Sequence, residues 1–483
     1  MYLIDNDRIL FLDKNFVNEK DTTANFNYGK MQKTDVSFEF TEAWAREATW
    51  FNIVKEDGFY RMYCMARTSV DEGGYLTDWN AKFHVVAIES KDGINWYKPN
   101  YGVVEYNGSK DNNIINLDVF DNVFVFKDTN KNCLPDQRYK AIYMHFEPET
   151  SHCSLKCSFS DDGINFKEGY TICEDGTFDT LNTLHYDEKA EQYTIYFRFF
   201  HNVDGSDFKG FKDILNAENK ATRDVRVIHS KDFKTWTKSK RINTGDVPDY
   251  QIYTNNIERY YRSDRYYLGF PYRYNWVVDW NKNYDNLCGK ERRLDRIKLH
   301  PRMGLSVCDH MFIHSTDGEN FTISDSAFIY PGPENEYSWQ YGGDKLCYGM
   351  IETENKLDKV KEISMYMPSI PWGEHPTTVY RYTIRLDGFA YYSANLNVKK
   401  VVSNEFVFKG EKLYFNMASS SVGYVQVTIK DLEGNKITSG KVFGDSSEKE
   451  IWFNEGNLKD FENKPVTMEI ELKECLIYSL IFR

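Results

Sequence analysis

Short runs in which apolar and polar residues alternate fill most of the chain, among them YRMYCMAR, FHVVAIES, NVFVFKD, YKAIYMHF, CSLKCSFS, YTIYFRFF, YYLGFPYRY and MFIHS. A period of two, rich in aromatic and β-branched residues and bounded by turn formers, predicts β-strands. Few segments sustain a helical period. A Ser-x-Asp-Gly-x-x-aromatic frame recurs in ESKDGINW (89–96), FSDDGINF (159–166), HSKDFKTW (229–236, with Phe233 at the Gly position) and HSTDGENF (314–321), placing its serines at Ser90, Ser160, Ser230 and Ser315. The separations of 70, 70 and 85 residues suit a repeating unit of about four short strands. Asp-Gly favours a tight turn, because Gly takes positive φ without steric cost and the Ser and Asp side chains accept from nearby backbone N–H groups. A fifth unit lacks the frame and runs through WQYGGDKLCYGM, EISMYMPSI and TTVYRYTIRLDGF to Asp387-Gly388.

Five sheets of this size, set radially, protect their edges by circular packing. The expected fold class is all-β: a five-bladed β-propeller over residues 1–388, including an N-terminal closing segment, followed by a C-terminal β-sandwich over 389–483. The second part rests on short alternating runs such as EFVFKGEKLYFNMA, GYVQVTIKDLEG and PVTMEIEL.

Charge narrows the partners. With 60 Lys and Arg against 73 Asp and Glu, the net charge is −13, which argues against nucleic acid, whose phosphates call for a basic face. No stretch approaches the roughly 18 apolar residues of a membrane span, and the start MYLIDNDRILFLDKNF carries acids where a signal peptide needs a basic, then apolar, run. The nine cysteines are an odd and scattered set, not a disulfide framework. Cys153 and Cys157 lie four apart in a strand-like run, about 13 Å, too far for two ligands of one zinc. These features predict a cytoplasmic protein with no metal or cofactor. The 78 aromatics (10 Trp, 35 Tyr, 33 Phe) offer a packed core and ring-lined pockets.

The segments FLDKNF, YGVVEYNGSKDNNII (101–115), RYKAI (138–142), DTLNTLHYD (179–187), SKDFKTW (230–236), YTNNIERY (253–260), STDGENF (315–321), YTIRLDGF (382–389) and the final LIYSLIFR carry a resemblance that spans nearly the whole chain. The chain resembles the five-bladed propeller and β-sandwich proteins described as similar to glycoside hydrolase family 32. The Trp-Met-Asn-Asp-Pro-Asn, Arg-Asp-Pro and Glu-Cys motifs of family 32 proper are absent from the sequence, so sucrose or fructan is not supported as substrate. In outline the chain is closer to the related families 43, 62 and 117, in which acids reach a central funnel from the innermost strands of early blades. The resemblance implies a glycoside hydrolase acting on a terminal sugar, a furanoside among the options, of a short oligosaccharide. Two alternatives stand beside it: a phosphorylase of the family 130 type, and a carbohydrate-binding propeller without catalysis.

Starts of inner strands and ends of the antiparallel second strands share one end of a propeller. The residues there are the candidates. Glycoside cleavage needs one protonated carboxyl group and one carboxylate, with burial, a second acid or an Arg setting them apart. Glu47 and Asp179 each introduce an apolar inner strand and are read as two members of the acid set, with Asp249 and Asp121 as tuners or hydroxyl binders. Taken singly, each also fits a turn cap or a surface ion pair. Arg67 and Arg198 end aromatic strands and suit sugar hydroxyls or an anionic substituent. His145, Asn182, Tyr272, Arg302 and Gln340 complete the substrate-binding set, with Trp339, at the start of an inner strand, as a stacking platform or a core residue. Arg302 follows a charged excursion over 275–300, read as a lid or a solvated loop.

Overall fold

The computed structural model describes residues 2–68, 83–208, 221–277, 279–342, 345–369 and 375–483. The chain is nearly all β and divides into two compact units. The larger takes 32–259 and 266–383; the smaller gathers 1–31, 260–265 and 384–483.

In the larger unit, consecutive antiparallel strands form local sheets. The first holds Glu47–Lys55, Tyr60–Arg67 and His84–Ser90; the second Asp121–Lys127, Tyr139–Glu147, His152–Ser160 and Lys167–Cys173; the third Thr183–Asp187, Gln192–Asn202, Ala221–Ser230 and Lys240–Arg241. The fourth chain region makes two successive sheets from the same passages, Ile252–Thr254 with Tyr272–Asn275 and Val307–His310, then Glu258–Arg259 with Tyr267–Gly269, Ile313–Ser315 and Thr322–Ile323. The last holds Ile351–Glu354, Lys361–Ser369 and Thr378–Arg385, and its outermost strand, Gln32–Glu39, comes from early in the chain.

The recurring frame builds the turns that follow each third strand. In the first, Asp92 Oδ1 accepts from the backbone of Ile94 and Asn95 at 2.8 Å each, while Gly93 N donates to Ser90 Oγ at 2.9 Å; Asp162, Asp232 and Asp317 accept in the same way, and Gly163 and Gly318 repeat the bond to serine. These turns also join sheet to sheet. Tyr63 Oη of the first sheet donates to Gly163 O at 3.1 Å, Tyr170 Oη of the second to Phe233 O at 2.6 Å, and Tyr196 Oη of the third to Gly318 O at 2.7 Å. Tyr366 Oη of the last sheet donates back to Gly93 O in the first. A Cβ at Gly163 would stand 2.6 Å from Tyr63 Oη, so glycine there serves both its positive φ and this approach.

The first strands are tied in the same order. Asn52 exchanges hydrogen bonds with Val125, Asn122 Nδ2 donates to Phe178 O, Thr183 Oγ1 to Asn255 Oδ1, Asn256 Nδ2 to Leu346 O, and Ile53 N to Tyr348 O. The contact sequence therefore returns to its start.

Residues 275–300, expected as lid or loop, contain helix α1 (Lys290–Leu299), followed by α2 (Pro301–Leu305). Its helical period was hidden because the buried positions of α1 are Arg293 and Arg296; Arg293 donates to the carbonyls of Gly304 and Ser338. Trp339 and Gln340, expected beside an inner strand, lie in turn structure, and the strand begins only at Ile351.

The smaller unit is one ten-stranded sheet built on the long antiparallel pair Leu413–Asp431 and Val466–Phe482. Tyr2–Asp5 pairs parallel to Phe406–Lys409 and Ile9–Leu10 pairs with Val466–Phe482, so residues 1–31 belong with the C-terminal part rather than with the sheets that follow them. Phe11, Phe16, Phe406, Phe415 and Phe482 fill its core. Asp387 is buried there between Arg8 (3.3 Å) and Arg262 (2.9 Å), accepting from Tyr260 Oη at 2.5 Å and Ser479 Oγ at 2.7 Å. Burial pushes its pKa up, but the two arginines and the hydroxyls outweigh it and hold it below the usual value. Among the described residues, no helix is long and apolar enough to cross a membrane.

Candidate functional site

Two first strands break register at a residue with positive φ. The pairing of Glu47–Lys55 shifts between Thr49 and Asn52, with Trp50 at φ 55°, and that of Asp121–Lys127 shifts between Asp121 and Phe124, with Asn122 at φ 59°. A bulge re-aims the side chain it carries. Here it turns the Trp50 indole toward the second sheet, where Nε1 donates to Asp121 Oδ1 at 3.0 Å; the same oxygen accepts from Asn122 N at 2.8 Å.

Asp121 is the most perturbed acid of this group. Burial, then the neighbouring Asp179 charge, push its pKa up to about 7, against the opposing pull of Asn122 N, Lys345 and Trp50. Asp179, at φ-strained Phe178 (φ 53°) before the third sheet, is ion-paired with Arg198 Nη2. The Arg198 guanidinium lies 4.9 Å from the Tyr253 ring and 5.3 Å from that of Phe200. Lys345 Nζ sits 4.2 Å above the Trp50 ring and 5.6 Å from Tyr253. Burial takes the Lys345 pKa down to about 8, although Asp121 and Asp179 both favour its charged form. Two carboxyl groups in unlike settings, one half-buried and hydrogen-bonded to Trp50, the other paired to Arg, thus share a neighbourhood with two cations and a tryptophan face. Such separation of environments is how one site holds a proton donor and a carboxylate at the same pH.

Each of the other sequence candidates has partners of its own. Glu47 is buried against Arg67, accepting from its Nε at 3.0 Å; burial raises its pKa while Arg67 and Arg296 of α1 lower it. Arg67 stacks on Phe83 at 5.3 Å. Asp249 meets His201 Nε2 at 3.0 Å, and His201 Nδ1 lies 3.0 Å from Asp224. Burial disfavours the His201 cation, but its hydrogen bonds to Asp224 and Asp249 prevail and raise its pKa. Together with Arg223 these residues line a cavity of about 440 Å³. Asn182 donates to Phe178 O at 3.0 Å and shapes the turn that carries Asp179. His145 lies 3.8 Å from Glu147. Tyr272 packs on His310, with ring centroids 4.9 Å apart, and lines a cavity of about 320 Å³ with Trp339 and Gln340. Gln340 accepts from Arg292 of α1 at 2.8 Å. Arg302 of α2 lies over Tyr341 at 5.2 Å and Trp276 at 5.9 Å.

Sequence reasoning missed Lys345, Trp50, Tyr253 and Arg223. Two had a signal. Lys345 is a lone cation introducing the apolar run LCYGM, and Arg223 shares strand parity with buried Val225 and Val227, an unusual place for a charge. Among the described residues, no group of three or more His, Cys, Asp or Glu could hold a metal ion.

No protein-family model matches the chain, and no curated protein matches it. Several solved structures are similar. A family 43 arabinoxylan arabinofuranohydrolase from Bacillus subtilis is 11% identical, covering 91% of this chain and 96% of its own, with a TM-score of 0.36. A mutant family 32 β-fructofuranosidase from Bombyx mori is 9% identical over 96% of this chain and 94% of its own, at 0.36. A structure from the family 130 mannoside phosphorylases and hydrolases is 11% identical over 74% and 94%, at 0.39.

Proposed function

We propose that the six sheets of the larger unit make the five blades of a β-propeller, the two sheets of the fourth region together forming one blade, that the ten-stranded sheet of the smaller unit folds as a β-sandwich, and that the chain is a glycoside hydrolase. Its substrate is the terminal sugar of a short oligosaccharide, and a furanoside fits this reading. The closed order of contacts among first strands, from Asn52–Val125 round to Ile53–Tyr348, supports the radial arrangement.

The observation that carries the chemistry is the pairing of Asp121 with Asp179. A carboxyl whose pKa stands at about 7 keeps a proton to give to the leaving oxygen at neutral pH, where an ordinary carboxylate has lost it. Asp179, held by Arg198, acts as the carboxylate on water or on the anomeric carbon. Asp121 takes the donor role, Lys345 pulls its pKa down against burial and Asp179, and Trp50 fixes its orientation. Glu47, engaged by Arg67, and Asp249, engaged by His201, support the walls of the site.

A panel of chromogenic aryl furanosides and pyranosides tests the reading. The native protein should release aryl alcohol from at least one of them, and Asp121→Asn and Asp179→Asn should each lower kcat/KM by about 100-fold or more. Full activity in both variants, or no release from any aryl glycoside, refutes it.

A further inference from the structure

Three arginines from three different parts of the larger unit share a single run of aromatic rings. Arg198 and Arg223 lie 5.3 and 5.2 Å from the Phe200 ring; Arg223 continues to Tyr274 at 4.8 Å and Trp276 at 5.1 Å; Arg302 lies on Trp276 and on Tyr341. The Tyr341 hydroxyl is 3.1 Å from that of Tyr253, which carries Arg198. Arg198 and Arg223 are only 4% and 8% exposed. Arg198 is paired with Asp179, whereas among the described residues no carboxylate lies within ion-pair distance of Arg223 or Arg302. Arg223 reaches only the amide oxygen of Gln251, at 3.0 Å. Arg198 Nε and Nη1, Arg223 Nε and Arg302 Nε are buried without a hydrogen-bond partner among the described residues.

Withdrawing a guanidinium from water costs more than stacking on a ring face restores. Lys345 adds a fourth cation, and Asp121 and Asp179 are the acids among them. The nearby Asp224, Asp249 and Asp309 are already engaged by Arg226, His201 and Arg273, so the four cations exceed the acids left to face them. Tyr274 and Trp276 line a cavity of about 670 Å³ with Asp249, Gln251, Arg273, Asp309 and Trp339, and Arg223 lines another of about 440 Å³ with His201, Asp224 and Asp249, both within the range of pockets that hold small ligands. Guanidinium is the side chain suited to bidentate recognition of carboxylate or phosphate.

We infer that Arg198, Arg223 and Arg302 form an oxyanion subsite, and that the sugar recognised at the Asp121–Asp179 site carries an acidic substituent seated on these guanidinium groups. This inference rests on the glycosidase reading for its location and deepens it by naming the substrate class. Orthophosphate shares the chemistry, and the test separates the two sources.

Isothermal titration of the full chain at low ionic strength compares D-glucuronate and D-galacturonate with D-glucose and D-galactose, and orthophosphate alone forms a separate arm. A uronate should bind at least tenfold tighter than its neutral parent, and Arg223→Gln should abolish that preference; Arg302→Gln gives the same reading should the first variant fail to fold. Orthophosphate binding without a uronate preference overturns the sugar-borne acid in favour of the free anion. Absence of both overturns the subsite. Aryl uronides then separate the two proposals: uronate preference without aryl release from any glycoside removes the hydrolase and leaves the subsite, whereas turnover of neutral aryl glycosides without uronate preference does the reverse.

Discussion

Asp121→Asn should make the protein more stable at neutral and alkaline pH, and the gain should grow with pH in a defined window. The Asn side chain retains an oxygen able to accept from Trp50 Nε1 and Asn122 N and never ionises. In the native chain the carboxyl keeps its proton up to about pH 7 when folded, against an ordinary value of 3.8. A raised folded-state pKa contributes stability that is complete below 3.8 and is lost as pH rises through about 7. At about 1.4 kcal/mol for each pH step, the span from 3.8 to about 7 withdraws about 4 kcal/mol. The variant loses none of it. Urea denaturation of both proteins, followed by tryptophan fluorescence between pH 4 and pH 8, measures the difference directly, because groups that titrate identically in both proteins cancel. The variant should lie close to the native protein at pH 4 and above it by a few kcal/mol at pH 8. A difference that stays within about 1 kcal/mol over the whole range would show that Asp121 is not driven to hold a proton, and the donor role would fall with it.

Lys345→Met removes a cation that favours the Asp121 carboxylate, so the alkaline limb of the kcat/KM profile should move to higher pH; a limb that stays or moves down contradicts this. Gly163→Ala places a Cβ 2.6 Å from Tyr63 Oη at φ 75° and should cost about 1–3 kcal/mol in denaturant unfolding, while Gly205→Ala, at φ 82° with open space around it, should cost clearly less. Asp387→Asn leaves Arg8 and Arg262 facing a neutral group and should lower stability by about 3–5 kcal/mol at pH 7. Because the folded Asp387 pKa is depressed, that loss should shrink as pH falls below 3.8 and through the folded value, which melting curves at pH 7 and pH 3 would reveal.

What the sequence displayed was whatever one stretch of chain decides alone. Alternation marked the strands, and the Ser-x-Asp-Gly frame marked the turns, because its hydrogen bonds close within five residues. The site depends on meetings between stretches. Asp121 and Asp179 come from neighbouring sheets, and the indole that orients Asp121 is re-aimed by a bulge at a non-glycine residue, Trp50, for which no local pattern exists. Helix α1 was hidden because its inward face is written in arginine. The pairing of Tyr2 with Phe406 joins positions some 400 residues apart, beyond the reach of any window of composition.

The strand Gln32–Glu39 is synthesised before its partner, Thr378–Arg385, which arrives roughly 340 residues later. At about 5–20 residues per second this is an interval of about 20–70 s. During it the early strand has an open edge, and the sheet it finishes does not exist. Synthesis of the larger unit therefore ends in an act of joining, and a nascent chain stopped before Thr378 would present that edge to chaperones or to other chains.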